Sequence, residues 1–398
     1  MLGKVMKKAV SLFRYLKCVS LYALALLLSP FLRRSASYKD LWLIAERGTE
    51  ARDNGYHFFK YIRENHPEIN CAYVIPQSSP DYEKIRALGR TVEPKTFCHY
   101  IAFACAKAKI STHIMGYAPD SYYFTVLDKK LGIVRGKKVF LQHGIIKDNI
   151  AELHYPAVHL DLFVCSTVPE YEDLIRGYHF PDGVIRRLGL CRYDALLSEH
   201  EVKRQILVMP TWRYYARELS DEDFKECEYF QCFNGLIADE ELHRLLEEYD
   251  YELVLYLHYE LQKYTHLFDG KSERVHLKGL GDADVQQLLM ESSLLVTDYS
   301  SVFFDFAYMR KPLAYWQFDQ ELFFAEQYGK GYFRFDQDGF GPLCTQKDEI
   351  IRFIGEELRN GMTVEEKYRE RVERNFAEFS TDHSKQTYEA IQSLLSKA

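Results

Sequence analysis

The chain has 398 residues, of which 47% are hydrophobic and 27% charged. At roughly 100–200 residues per domain this predicts two domains with ample apolar material for two cores, and it excludes disordered, collagen-like and coiled-coil classes. A formal charge of −7 excludes a nucleic-acid-binding protein that relies on a broadly basic surface.

The charge is uneven. Residues 1–34 hold Lys4, Lys7, Lys8, Arg14, Lys17, Arg33 and Arg34 and no acid. A basic start on an acidic body points to a membrane surface. On a helical wheel of ~100° per residue, Leu2, Val5, Met6, Ala9, Leu12, Phe13 and Leu16 share one face and Lys4, Lys7, Lys8 and Arg14 the other. This is the pattern of an amphipathic helix lying in a membrane interface, and residues 1–37 are assigned to that role. The helix runs into the apolar stretch Val19–Leu28, which Ser29-Pro30 and Arg33-Arg34 end, short of the ~20 residues a spanning helix needs. A signal peptide and an ordinary helix packed on the protein are the competing readings. No small-x-small cleavage site follows the apolar run, and two arginines would have to be translocated.

From Leu41 short apolar strands alternate with amphipathic helices. The predicted strands of the first half are Leu41–Ala45, Cys71–Ile75, Lys109–Thr112, Val139–Gln142, Leu162–Cys165 and Val184–Leu188, with helices such as Tyr56–Asn65 and Phe97–Lys107 between them. His143 emerges where the strand ending at Gln142 stops, beside Gly144, which lets another group approach closely. A histidine there can take a proton from a hydroxyl near neutral pH; a histidine merely hydrogen-bonded in a cleft wall fits the same spacing.

After a polar stretch near Ser198–Arg204 the alternation restarts. Strands are predicted at Ile206–Met209, Leu253–Leu257, Val275–Leu277, Leu294–Thr297 and Leu313–Trp316, and helices at Asp239–Glu248, Asp284–Glu291 and Val302–Met309. The acidic run Asp221–Glu228 is expected to be a solvated insertion. Arg213, after Pro210-Thr211-Trp212, offers a planar fork suited to phosphate. His258 ends the strand Leu253–Leu257. The block Asp298-Tyr299-Ser300-Ser301 leads into a helix that Ser300 or Ser301 can cap, where a phosphate would meet hydroxyl and amide donors together; capping alone is the simpler reading. Asp305 follows one turn later on the Ser301 face, placed to accept from a ribose or polyol hydroxyl. A charged helical pattern, Glu365 to Ser393, closes the chain.

Strand–helix alternation implies parallel sheets covered on both faces. Two such runs predict an α/β protein of two Rossmann-like domains facing across a cleft, residues 38–200 and 201–362, with 363–398 packing back across both. Ligands of such sheets sit beyond the carboxyl ends of strands, where every candidate residue above falls. The nine cysteines are scattered without any C-x-x-C, so reduced structural cysteines in the cytosol are expected. No P-loop, dinucleotide-binding glycine motif or zincin motif occurs.

Several blocks, taken in order, resemble the CDP-glycerol glycerophosphotransferase family, the teichoic acid primases and polymerases. They are Trp42–Arg47 with Asp53-Asn54-Gly55, Phe59–Arg63, Val139–Gly144 with Lys147-Asp148, Gly189–Asp194, Pro210–Arg213, Thr297–Asp305 with Lys311-Pro312, and Tyr328–Phe335 before Asp338–Pro342. Cys191 and Tyr259 stand where that family often has proline. The resemblance implies a GT-B fold and transfer of a polyol phosphate from CDP-glycerol or CDP-ribitol to a hydroxyl of a polyprenyl-diphosphate-linked saccharide or a growing polymer, at the cytoplasmic face of the membrane and without nucleic acid. It implies His143 as the base and His258 as the second catalytic histidine. Thr211, Arg213, Asp298, Ser300, Ser301 and Asp305 fall on the donor side, and Gln142, Gly144 and Lys147 on the acceptor side. No acidic metal cluster is evident, so no cofactor is required, although Mg²⁺ can accompany the donor. A GT-B sugar transferase using a nucleotide-sugar is the alternative enzyme, and a membrane-bound binding protein the alternative class.

Overall fold

The computed structural model describes residues 2–48, 50–270, 272–326 and 331–397, with side chains from Phe13 onward. The predicted face of Leu2, Val5, Met6, Ala9 and Leu12 therefore lies outside the described side chains, and Tyr328 outside the described residues. The chain forms two compact units: Met1–His143, Ile150–Asp194 and Ser380–Ala398 make the first, and Gly144–Asn149 and Ala195–Phe379 the second.

The first unit is built on a seven-stranded parallel sheet. Its strands are β1 (Trp42–Ala45), β2 (Cys71–Val74), β3 (Thr91–Val92), β4 (Ala108–Ser111), β5 (Lys137–Phe140), β6 (Leu162–Cys165) and β7 (Ile185–Arg187), in the order β3-β2-β1-β4-β5-β6-β7. Every residue of β1, β2, β4 and β6 is buried; β1, β2 and β6 turn apolar groups to both faces, whereas β4 buries Lys109 and Ser111 beside Ala108 and Ile110. Trp42 and Ile44 meet Phe58, Phe59 and Ile391 on one side; Leu41, Leu43 and Ala45 meet Tyr22, Phe103 and Phe124 on the other.

The second unit carries a six-stranded parallel sheet of β8 (Gln205–Val208), β9 (Glu252–Tyr256), β10 (Val275–Lys278), β11 (Leu294–Thr297), β12 (Leu313–Trp316) and β13 (Leu343–Cys344), in the order β10-β9-β8-β11-β12-β13. Ile206, Val208, Leu253, Leu255 and Trp316 anchor its core. In each sheet the order reverses once, between β1 and β4 and between β8 and β11, which is where doubly wound sheets open a crevice for ligands.

Three predicted elements differ. The N-terminal helix does not stop at Ser29-Pro30; it runs from Leu2 to Leu32 with Pro30 inside. Pro30 has no N–H for the Leu26 carbonyl, and the Ser29 hydroxyl donates to that carbonyl instead, at 2.9 Å. Cys18, Tyr22, Ala25 and Ser29 are buried against the protein. The acidic run is a helix, Asp221–Glu226, capped by Ser220 and anchored by buried Phe224. Asp221, Glu222 and Asp223 occupy its first turn, where the helix dipole favours them. The closing pattern is two helices, Glu366–Phe376 and His383–Ser396, parted where Ala377 takes φ +58°; the first belongs to the second unit and the other to the first.

Candidate active site

In the first unit, β4 and β5 are neighbours with Ser111 opposite Phe140, so His113 and His143 both follow strand ends on the same edge. Between Phe140 and His143 the backbone reverses at Gln142, whose φ is +62°, a left-handed conformation uncommon outside glycine. The turn is held from every side. The Gln142 carbonyl accepts from Asn54 Nδ2 at 2.8 Å, and its side-chain amide donates to the Val164 carbonyl at 2.6 Å and Glu170 Oε1 at 3.2 Å. Gln142 is fully buried, which corrects the expectation that it faces the acceptor: it fixes the turn that throws His143 outward.

His143 is exposed. Its Nδ1 lies 3.2 Å from the Thr112 carbonyl. A carbonyl can only accept, so Nδ1 carries the hydrogen and Nε2 the lone pair. The ring stacks on His113 with centroids 4.3 Å apart and planes 9° from parallel. Burial, aided by the charges of His143 and Arg47, pulls the pKa of His113 down to about 3. His113 is thus a neutral wall for the outer histidine. The His143 carbonyl accepts from Arg192 Nη1 at 3.1 Å, and the same nitrogen pairs with Asp53 Oδ1 at 2.7 Å. Asp53 caps the helix Asn54–Asn65. Behind it, Glu46 accepts from the backbone N–H groups of Arg52, Asp53 and Tyr56 at 2.9, 3.0 and 2.6 Å. Burial and the neighbouring Asp53 carboxylate raise its pKa against those three bonds. A Cβ at Gly55 would come within 2.8 Å of Glu46 Cγ, so only glycine fits there.

In the second unit, β9, β8 and β11 are consecutive in the sheet. Their carboxyl ends therefore bring His258, Thr211–Arg213 and Asp298–Ser301 side by side, but not all of these face a ligand. Arg213 is 1% exposed. Its Nε and Nη2 grip Asp319 at 2.5 and 3.1 Å, and Nη1 reaches Asp298 Oδ2 at 2.9 Å and the Thr211 carbonyl at 2.6 Å. The rings of Tyr299, Phe323, Phe318 and Tyr229 surround the guanidinium at 5.0–5.5 Å. Asp298 accepts from the backbone N–H of Thr211 at 2.8 Å and of Tyr299 at 2.5 Å. Arg213 and Asp298 accordingly clamp two loops together, so in this structure the fork that the sequence offers to phosphate is occupied by protein carboxylates.

Two further expectations change. Lys147 is 5% exposed and ion-paired with Asp148 at 2.5 Å, which removes its charge from the acceptor side. Asp305 is buried in the packed face of the helix Val302–Tyr308, leaving it little surface for a sugar hydroxyl. Ser301 stands at the N-cap without a side-chain cap bond. A Cβ on Gly144 would stand 2.7 Å from the Ser301 hydroxyl oxygen, so any larger residue at 144 obliges Ser301 to turn that hydroxyl away.

Thr211, Ser300, Ser301 and His258 are all partly exposed, and the Thr211 hydroxyl has no protein partner. His258 Nδ1 receives the Glu260 N–H at 3.4 Å, and its ring lies 6.2 Å from that of Trp212 at 25°. Among the described residues, no three His, Cys, Asp or Glu side chains converge as metal ligands. Missed from the sequence were His113, Asn54 and Arg192. His113 carried the same signal as His143, a histidine just past a strand end; Asn54 and Arg192 lie in two of the blocks that carry the family resemblance, but nothing local shows that they pair, because the bond joins loops 138 residues apart.

Residues 27–392 match the family described as CDP-glycerol:poly(glycerophosphate) glycerophosphotransferase. The chain is 29% identical over 367 residues to the minor teichoic acid biosynthesis protein GgaB of Bacillus subtilis (strain 168), covering 89% of this chain and 40% of that protein. It is 25% identical over 368 residues to the teichoic acid poly(glycerol phosphate) polymerase of the same strain, covering 80% and 46%. It thus spans less than half the length of these two curated relatives. The wall teichoic acid polymerase TagF superposes with a TM-score of 0.69 at 16% identity, covering 98% of each chain, which shows a GT-B-like α/β fold. With nearly its whole length matched, the chain belongs to the CDP-glycerol:poly(glycerophosphate) glycerophosphotransferase family.

Proposed function

We propose that this chain transfers glycerol phosphate from CDP-glycerol to a hydroxyl of a lipid-linked or polymeric saccharide and releases CMP, in the synthesis of a teichoic acid or capsule-type envelope polymer. The observation that carries the reading is the tautomer of His143: Nδ1 is committed to the Thr112 carbonyl, so Nε2 is the basic nitrogen on an exposed ring. In the proposed step, Nε2 takes the acceptor hydroxyl proton and the oxygen attacks the phosphorus bearing the glycerol. The bond from that phosphorus to the CMP oxygen breaks, and CMP leaves with the electron pair. Such transfers depend on positioning and charge stabilisation rather than on a covalent intermediate. His258, Thr211, Ser300 and Ser301 are assigned to the donor phosphates, and Gly144 to close approach beside Ser301.

The acceptor places the reaction at the cytoplasmic face of the membrane, where the N-terminal helix lies as a peripheral anchor. Phe13, Leu16, Leu24, Leu27 and Phe31 are exposed along it, flanked by exposed Lys17 and Arg34. The stretch Phe13–Leu32 is long and apolar enough to span. Spanning would, however, detach Tyr22 from the Ile133 carbonyl and Arg33 from the Ala104 carbonyl.

The test is CMP release from CDP-glycerol and from CDP-ribitol with a lipid-linked disaccharide acceptor, in wild type and His143→Ala. Acceptor-dependent CMP from CDP-glycerol, lost in the variant, is expected. Turnover of CDP-ribitol alone would change the polyol, and turnover of nucleotide-sugars alone would replace the reaction.

A further inference from the structure

A general base on an exposed loop loses its value if the loop wanders, and His143 follows a buried left-handed residue that has no preference of its own for that conformation. Three segments of the first unit meet at this turn. Asn54, fully buried, spends both ends of its amide there: Nδ2 donates to the Gln142 carbonyl at 2.8 Å, and Oδ1 accepts from the Arg192 backbone N–H at 3.0 Å. Arg192 completes the circuit, with Nη1 shared between Asp53 Oδ1 and the His143 carbonyl. Asp53 Oδ1 also accepts from the Asn54 backbone N–H at 2.7 Å. The peptide groups on both sides of His143 are therefore held by side chains from two other loops.

We propose that Asn54 and Arg192 are positioning residues that brace the Gln142–His143 turn and so fix the general base for proton abstraction. The inference rests on the reading of His143 as the base. Neither side chain touches substrate in this scheme; each acts through a backbone carbonyl. Asn54→Asp keeps the shape but replaces the donor facing the Gln142 carbonyl with an acceptor. Arg192→Gln removes the bridge to the His143 carbonyl and leaves the backbone bond to Asn54 intact. Arg192→Lys keeps a charge able to reach both oxygens, though without the rigid fork.

The experiment measures CMP release by the full chain with whichever CDP-polyol the wild type uses, together with donor affinity by calorimetry and thermal unfolding. Both Asn54→Asp and Arg192→Gln are expected to lower kcat by ~10–100-fold, the scale of a misplaced catalytic group. Donor affinity should stay within about twofold, because the residues assigned to the donor belong to the other unit, and Arg192→Lys should recover much of the lost rate. Wild-type kcat in either folded variant would overturn the proposal. So would a loss of kcat that only tracks lost donor binding and lowered Tm, which is what a general folding defect produces. If Asn54→Asp does not fold, the Arg192→Gln and Arg192→Lys pair decides alone. His143→Ala is measured alongside: wild-type turnover there defeats the base reading itself, whereas an inactive His143→Ala beside fully active Asn54→Asp and Arg192→Gln defeats only the brace.

Discussion

A Cβ at residue 144 would stand 2.7 Å from the Ser301 hydroxyl oxygen, but a serine hydroxyl can rotate out of the way at little cost. Gly144→Ala is therefore expected to fold with a Tm within about 2 °C of wild type while raising KM for the donor several-fold, because Ser301 must turn from its assigned place. Unchanged donor kinetics would remove Ser301 from the donor site. His99 makes a different prediction. It is buried, with Nδ1 receiving the Lys95 N–H at 3.1 Å and Nε2 donating to the Tyr117 carbonyl at 2.9 Å, and burial lowers its pKa to about 4. Between pH 6.5 and 4 the unfolded chain thus binds a proton that the folded chain refuses. Stability falls as pH falls through that window, by on the order of 3 kcal/mol in total. His99→Gln, neutral throughout, should flatten this part of the unfolding profile relative to wild type; parallel profiles would refute it. The candidate site was legible at this scale where a single residue announced itself past a strand end, which is where the structure sets His143 and His258. It was not legible where a partner decided the role. Arg213 has the fork for phosphate, yet Asp319, 106 residues away, takes two of its nitrogens, and no local pattern shows such a pairing.

Among the elements, the strands were readable wherever they sit inside a sheet, because a parallel strand buried on both faces is apolar almost throughout. The edge strands β3 and β13, two residues each, are too short to carry a period, and only their neighbours in the sheet define them. The split of the closing helical pattern left a trace in Ser380-Thr381-Asp382, polar residues of the kind that start helices, but the apolar spacing of the two helices nearly matches across the gap. The N-terminal helix shows a local rule set aside by a neighbouring side chain. Pro30 stays inside it because Ser29 supplies the hydrogen bond that proline cannot. Ser29→Ala should then cost about 1 kcal/mol by leaving the Leu26 carbonyl without a donor, a fall of about 2–4 °C for a unit of this size. The same substitution beside Pro30→Ala should cost far less, since the backbone N–H that alanine brings to position 30 would serve that carbonyl. Equal losses in both backgrounds would show that the Ser29 hydroxyl is not compensating for proline.

Across the whole chain, both ends fold onto the first unit and each meets a different need. The C-terminal helix is capped from afar: Asp194 accepts the backbone N–H groups of His383 and Ser384 at 2.8 and 2.9 Å, while Asp382, at the N-cap itself, makes no side-chain cap bond. Gly189 has φ +75°, and a Cβ there would fall 2.0 Å from His383 Nδ1. The N-terminal helix is bound less completely. Cys18, Tyr22, Ala25 and Ser29 face the protein, and at ~100° per residue the exposed Phe13, Leu24, Leu27 and Phe31 lie on the opposite side. One apolar stripe satisfies the fold; a second, with no described protein against it, matches what a bilayer interface accepts. Leu27→Asp with Phe31→Asp tests that division. Each replaces an exposed apolar side chain worth roughly 1.5–3 kcal/mol when buried, so the pair should reduce cosedimentation with anionic phospholipid vesicles at least ~100-fold while Tm and donor affinity hold. Undiminished vesicle binding would move the anchor elsewhere. If the wild-type chain stayed in the membrane through an alkaline carbonate wash, the helix would be spanning, and the contacts that Tyr22 and Arg33 make with the first unit could not all persist in that state.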